Sequence, residues 1–449
     1  MAAPRTKGDI ESILNKLDTA DENKIESAEI QQLLTQLYTS TRTLREDTLP
    51  ALFSRRGVRI LGRYAFQDTA KPEHIPALRC LNNVLVRSPP SRLFLSSEIG
   101  AAKIASLFKR QDPEDDLALS NIVVFSCHRN SLDLTEVLEQ DTLATDVNAM
   151  IARHAKSGPF PTAEPTSSSA GSLRLLASLA SRYESQTHLF LDSVDHVLDM
   201  LAKVTVGSPP LEPPVSLFVN CLPVLPVQEK TKISVEAIGK LVEILKASVA
   251  SYATKEDGKD ILPLLFGLRR IAQSEATEAK THLKASIIPT DEDRHEALGK
   301  GQTLPHKILN LSSESVFPEV REVIMSLFFE LSDKDPSLFV HNVGFGNAAG
   351  YLSSQGIEIS QKELGAASNA HINPITGQRV DSEPDTILPE MTDEEKEREA
   401  ERLFVLFERL RATGIVDVEN PVVTAAREGR IEELPSDDDE EEKKDGKGK

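Results

Sequence analysis

Tryptophan is absent, and aromatic residues of all kinds make up only 5% of the chain. A β-sandwich or barrel draws on aromatic and β-branched side chains for its cross-strand pairs. So lean a supply points instead to layers of helices packed through Leu, Ile, Val and Ala. Positive charge is also short: 51 Lys and Arg stand against 70 Asp and Glu, a formal net charge of −19. Binding to a phosphate backbone needs clustered Lys and Arg. Here they are spread along helical stretches, as at Arg42 and Arg45, Arg55 and Arg56, or Arg269 and Arg270, so no nucleic-acid partner is expected. The three cysteines, Cys80, Cys127 and Cys221, each sit inside an apolar run without a CxxC partner. They read as buried, reduced thiols, and zinc is not expected. No apolar run reaches the roughly 18 residues of a membrane span, and the first residues, Met1 to Lys7, hold no apolar core of a secretory signal. The expected location is the cytoplasm.

What the chain does have is helical periodicity, repeated many times in short pieces. From Ile10 to Leu352 apolar residues recur at spacings of three and four, with Pro, Gly, Ser and Asp at the breaks. The spacing predicts helices over Ile10–Leu17, Ala28–Tyr38, Leu49–Tyr64, Ile75–Val86, Glu98–Phe108, Asp116–Cys127, Leu134–His154, Ser172–Tyr183, Ser185–Val204, Val215–Leu222, Ile233–Tyr252, Asp260–Ala272, Thr277–Ile287, Phe317–Leu331 and Pro336–Tyr351. A single bundle of this length would need one very large shared core, whereas a solenoid needs burial only between neighbours. Ala77–Leu85 and Ser216–Val224 each place an Asn inside a Leu-rich helix ahead of a Pro, a pattern fitting armadillo and HEAT units of about 40 to 47 residues. The Pro-rich stretches Gly158–Pro165, running into Ser167–Ser169, and Ser208–Pro214 read as exposed loops.

The expected organisation is all-α: an armadillo/HEAT-like helical repeat superhelix over residues 1–360, a polar linker over 361–390, a capped helix with its extension over 391–434, and a disordered acidic tail over 435–449. Thr392 with Glu395 makes a capping box for the late helix, Arg411 closes its last turn, and Gly414 supplies the stop. Its stripe is Ala400, Leu403, Phe404, Phe407 and Leu410; the first turns have no apolar face. The tail's Ser436, followed by three Asp and three Glu, suits the basic cleft of an acidophilic kinase. An unmodified solubilising tail explains the same residues equally well.

No catalytic constellation stands out. Gly344-Phe-Gly-Asn-Ala-Ala-Gly350 has the glycine density of a phosphate loop, but a dinucleotide site needs a strand before the turn, and here helical runs flank it. Small residues allowing a bend or tight packing are the better reading. There is no GxxxxGK[ST], HExxH or GxSxG sequence. His282, His295 and His306 are spaced for neither one helix face nor a zinc knuckle. The expectation is therefore no enzyme and no cofactor.

Three segments in order, Phe339–Leu352, Asn373-Pro-Ile-Thr-Gly377 and Met391–Leu410, resemble the synembryn family. Weaker likeness runs through Leu78–Pro89, Asn220–Pro223 and Leu283–Pro289. The resemblance implies an armadillo/HEAT superhelix that binds the GDP-bound and nucleotide-free α subunits of heterotrimeric G proteins, promotes GDP release and chaperones the nascent subunit. It implies no nucleotide binding by the protein itself, a monomer, and recruitment to the plasma membrane or cell cortex through the α subunit. In that picture Asn83, Asn220, Lys284 and Asn347 contact the partner, the first three bonding an inserted helix, although the Asn residues could equally serve inter-repeat hydrogen bonds. Leu403, Phe404 and Phe407 dock on the partner's GTPase domain or back onto the array. Animal members carry an acidic, phosphorylated insertion between the Gly-Asn-Ala-Ala-Gly segment and Asn-Pro-x-Thr-Gly, but here Gly356–Ala370 holds only Glu358 and Glu363, so control by phosphorylation there does not carry over. The alternative, from another class, is a helical-repeat scaffold or transport adaptor that holds linear peptides without altering nucleotide state.

Overall fold

A computed structural model describes residues 6–67, 71–127, 131–140, 142–157, 160, 167–227, 231, 233–252, 256–274, 276–357, 371–373, 375–383, 398, 402 and 404. The helices are α1 (Lys7–Asp18), α2 (Ser27–Thr43), α3 (Pro50–Phe53), α4 (Arg55–Ala65), α5 (His74–Arg87), α6 (Pro89–Glu98), α7 (Ala101–Phe108), α8 (Asp116–Cys127), α9 (Thr135–Glu139) and α10 (Thr142–Ser157). There follow α11 (Ser168–Arg182), α12 (Leu191–Ala202), α13 (Val215–Val219), α14 (Val235–Tyr252), α15 (Leu262–Gln273), α16 (Thr277–Ile287), α17 (Leu304–Glu314), α18 (Pro318–Leu331), α19 (Pro336–Val343) and α20 (Phe345–Ser354). Among the described residues the only β-type pairing is an isolated antiparallel bridge between Ile372 and Arg379. The fold is all-α and built of helical repeats.

Local chemistry explains the boundaries. Thr6 and Asp9 close a capping box at the start of α1, which then buries Ile10, Ile13, Leu14 and Leu17 at the helical interval. The expected helix Leu49–Tyr64 is broken at Ser54, whose hydroxyl accepts from Gly57 N and caps α4. Pro89 and Pro90 do not end a helix but begin one, as first-turn residues of α6. Nor is Ser167–Ser169 loop, because Ser167 is the N-cap of α11 and Ser169 is buried. Leu211 is buried too, so the stretch Ser208–Pro214 is not wholly exposed.

The chain divides into two compact units, one of Met1–Ser286 with Glu314–Val323, the other of Ile287–Ser313 with Ile324–Lys449. In the first unit α2, α5, α8, α11, α13 and α15 form a ladder, each packed on the next. A second row runs through α7, α10, α12 and α14. Side-chain hydrogen bonds step along the array at a near-constant interval. Tyr64 to Leu17 spans 47 positions, Asn83 to Thr41 42, Asn148 to Leu189 41, Tyr183 to Leu134 49, and Arg270 to Leu225 45. That interval is the length of an armadillo or HEAT unit. In the second unit Phe329, Phe339 and Tyr351 form an aromatic cluster with ring centroids 5.4 to 5.8 Å apart.

Two adjacent acids at the start of the α8 rung face opposite neighbours. Asp115 Oδ1 meets His74 Nε2 at 2.9 Å. Asp116 accepts both nitrogens of Arg153, at 2.8 and 3.0 Å, and lies 2.9 Å from His154 Nε2. Burial alone would raise the Asp116 pKa, but the bonds from His154 and Arg153 outweigh it and hold the carboxyl below its usual range. A depressed folded-state pKa means that Asp116 stabilises the fold above the unfolded value of about 3.9 and that this contribution disappears as pH falls through the folded value. Asp116→Asn should therefore cost about 1–3 kcal/mol at neutral pH, because it removes charge-assisted hydrogen bonds between a buried carboxylate and a half-buried guanidinium. Urea unfolding at pH 7 and pH 3 checks it: the difference between variant and wild type should shrink at the lower pH.

Candidate functional site

The two most distinctive segments of the second unit, Gly344–Gly350 and Asn373–Gly377, are halves of one clasp. Asn373 makes an Asx turn, its Oδ1 accepting from Ile375 N at 2.9 Å and from Thr376 N at 3.3 Å, while Gly377 N donates to Asn373 O at 2.8 Å. The turn presents three successive carbonyls to the helical body. Ile375 O accepts from Gly346 N, Thr376 O from Leu298 N, and Gly377 O from Arg294 Nη1, each at 3.0 Å. Further along this segment, a strap whose described residues are 371–373 and 375–383, Arg379 N donates to Arg294 O at 2.8 Å, and Gln378 Nε2 to His295 O at 3.0 Å.

Two glycines make this approach possible. Gly344, at φ +78°, separates α19 from α20, where the sequence predicted one continuous helix; a Cβ there would lie 2.9 Å from Ile375 O. Gly377, at φ +68°, presses against Leu298, whose Cδ1 would stand 2.4 Å from an added Cβ. So the apparent phosphate loop spends the Gly346 amide on a peptide carbonyl.

Arg294 is the hub. It is 2% exposed, and its second nitrogen Nη2 donates to His341 O at 2.8 Å. Burial lowers its pKa, with Asp291 and Asp293 pulling the other way, yet a guanidinium stays charged throughout the usable pH range. The turn that carries it is built by capping: Asp293 Oδ2 accepts from Thr290 N at 2.7 Å, and Asp293 Oδ1 from Thr303 Oγ1 at 2.6 Å. His306 Nδ1 accepts from Gly299 N and Gly301 N, at 3.1 and 3.0 Å, so the ring hydrogen sits on Nε2 and is donated to Asp293 O at 2.7 Å. None of these hub residues was singled out from sequence as a site. The one readable sign is the capping-box spacing Thr290-x-x-Asp293.

The strap itself brings little apolar burial. Ile375 is 62% exposed and Val380 51%, and Gly377 is the one buried residue among those described between 371 and 383. Its seat therefore depends on hydrogen bonds worth about 1 kcal/mol net apiece, set against an ordering cost of about 1–2 kcal/mol per residue.

The sequence-predicted contact residues are dispersed. Asn83 on α5 donates to Thr41 Oγ1 at 2.9 Å, which is the inter-repeat role. Asn220 is exposed at the end of α13, two ladder steps beyond α8. Lys284 on α16 is half-buried and engaged within the protein. Asn347, in the first turn of α20, donates to Val343 O at 2.8 Å and accepts from Ser313 Oγ at 3.4 Å. Phe404 is helical and 41% exposed. Leu403, Phe407 and Ser436 lie outside the described residues, as does the predicted helix Thr392–Leu410 apart from Arg398, Arg402 and Phe404.

Elsewhere, α10 and α12 flank an open groove of about 810 Å³ lined in part by Asn148, His188, Asp192, Asp195 and His196. Asn148 is spent internally, donating to Leu189 O and accepting from Ser193. Among the described residues no three His, Cys, Asp or Glu side chains are grouped to hold a metal ion, and no helix is long and apolar enough to cross a membrane.

Stacked helices tied to one another at intervals of 41 to 49 residues define a helical-repeat protein. The chain belongs to the family described as guanine nucleotide exchange factor synembryn, which matches residues 33–430. It is 27% identical over 219 residues to the Chaperone Ric-8A of Macaca fascicularis, covering 45% of this chain and 41% of that protein. To a synembryn-like chaperone of Schizosaccharomyces pombe it is 32% identical over 170 residues, covering 34% and 32%. The chain thus spans less than half the length of these relatives. Among solved structures, an engineered protein matches 80% of this chain and 91% of its own at a TM-score of 0.42 and 13% identity.

The clasp makes opposite demands on two glycines of one segment. Gly344→Ala should destabilise by about 1–3 kcal/mol, the cost of forcing a side chain into glycine-only backbone. Gly350→Ala has nothing within 4 Å of the added Cβ and should be neutral or gain up to about 1 kcal/mol. Thermal unfolding of the two variants side by side checks the pair.

Proposed function

We propose that this protein binds the α subunit of heterotrimeric G proteins, promotes release of its GDP, and assists its folding. The observation that carries this reading is the family match across residues 33–430. The relatives' names, chaperone and synembryn-like chaperone, support the folding role. Exchange needs no chemistry from this chain. A partner that prefers the nucleotide-free conformation weakens GDP binding by the same factor that GDP weakens partner binding.

A ladder of stacked helices suits recognition of a helix laid along it. On this reading Asn220 and Lys284 contact the inserted segment, Asn83 and Asn347 assist from positions already tied to neighbours, and Leu403, Phe404 and Phe407 extend the contact to the GTPase domain. Ser436 is the place for an acidophilic kinase to act. The domain plan that goes with it is an array to residue 360, a linker to 390, a helix and extension to 434, and an acidic tail. The protein works as a monomer in the cytoplasm and reaches the cell cortex through its partner.

Release of a fluorescent GDP analogue from a purified α subunit should accelerate with added protein. No acceleration at stoichiometric excess would remove the exchange reading, and equal yields of folded α subunit with and without the protein would remove the folding one. Asn220→Ala with Lys284→Ala should weaken the complex about 5- to 150-fold, for two hydrogen bonds of roughly 0.5–1.5 kcal/mol each. Truncation after Glu383 should slow exchange while leaving the array folded, as read by GDP release and circular dichroism.

A further inference from the structure

The clasp has the form of a receptor holding its own ligand. Gly346 N–H, Leu298 N–H and the Arg294 guanidinium come from separate parts of the second unit, yet they bond three successive carbonyls, Ile375, Thr376 and Gly377. Gly346 N belongs to the first turn of α20, where amides have no partner within the helix. Arg294 is a buried cation that meets carbonyl oxygens rather than a carboxylate within hydrogen-bond reach. These are groups that would bind an acceptor-rich segment whether or not it belonged to the same chain.

The occupant has no fully buried apolar anchor: of its large aliphatic side chains Ile375 and Val380 are exposed and Ile372 is half-buried. Segments with few buried apolar contacts are those that open locally, below the cost of global unfolding. When this one lifts, the two amides and the guanidinium regain water, which lowers the cost of their exposure.

We propose that Gly346 N–H, Leu298 N–H and Arg294 form a peptide-carbonyl binding site that residues 371–383 occupy as a displaceable internal ligand. The site takes, in trans, a peptide turn of the same chemistry. Such a turn has an Asn that accepts from its own amides, three carbonyls on one side, and glycine at the third carbonyl position. Glycine is required there because φ is +68° and Leu298 closes the space. The proposal does not depend on a G-protein partner and is tested without one.

The test uses the full chain carrying Gly377→Val, which unseats the strap and leaves all three donors intact. The probe is a fluorescent synthetic peptide spanning residues 371–383, followed by anisotropy. It should bind the variant saturably and at least tenfold more tightly than it binds wild type, where the resident strap competes. Adding Arg294→Met should weaken binding at least tenfold, and a probe carrying Gly377→Val should not bind. A folded Gly377→Val chain without saturable binding, or binding that ignores Arg294→Met, overturns the proposal. Hydrogen exchange of wild type decides the matter independently of that variant's folding. The amides of Leu298, Gly346 and Gly377 should exchange through an opening insensitive to low urea. Exchange of these amides only together with the α17 and α19 core, through global unfolding, overturns displacement.

Discussion

Burial between sequence neighbours is the constraint on which everything else in this protein rests. A single amphipathic helix has nowhere to place its apolar stripe, and a chain with no Trp and 5% aromatics cannot gather a large core around a few bulky anchors. Each rung instead hides its Leu, Ile, Val and Ala against the next, and the sum of many such contacts takes the place of one centre. The recurring interval of about one repeat in hydrogen bonds between rungs follows from this, because the next rung of the ladder lies about one repeat away in sequence.

Within that frame, the buried charges do different work from the apolar contacts. Asp116 joins Arg153 and His154 of α10 to the first turn of α8, and Asp115 ties the same turn to His74 of α5. Hydrophobic faces tolerate sliding. A carboxylate gripped on both sides does not, so these pairs set register along the stack. Arg294 is a related device with a different target. It fixes main chain, reading carbonyls from His341 and Gly377, and so defines where an irregular segment meets a helical body.

Periodicity made the helices legible and left the clasp hidden. Asp116–Cys127 and Thr277–Ile287 are legible to the residue, because an acid or threonine opens each and the apolar run ends cleanly. Leu304–Glu314 is not legible, since its start lies among Gly, Gln and Thr residues that resemble a loop, and neither is Pro89–Glu98, because paired prolines signal a stop more readily than a first turn. The linker reading of 361–390 rested on low periodicity. Periodicity is blind to a segment held by its own carbonyls, and residues 371–383 are such a segment. Gly344 reads in sequence as a bend or packing residue, and the bend is what it supplies. Arg294 had no signal at all in sequence, because a buried arginine that bonds backbone looks like any surface arginine until its partners are placed. Of the residues named as partner contacts, Asn83 shows the limit plainly: an Asn in a helical run is compatible with a ligand or a neighbour, and its amide is bonded to Thr41.

The thiols have a practical consequence. All three cysteines are buried, and loss of hydration pushes Cys127 to about 11 and Cys221 to about 12, with Cys80 raised further. At neutral pH such groups hold almost no thiolate, the form that reacts with alkylating probes. Burial and a raised pKa together should leave the native chain slow to react with maleimides while it stays folded. A cysteine installed at a solvent-facing position of the strap, such as Val380, would be the single fast-reacting thiol in the molecule, and its labelling rate would report on that one segment without removing any residue the fold depends on.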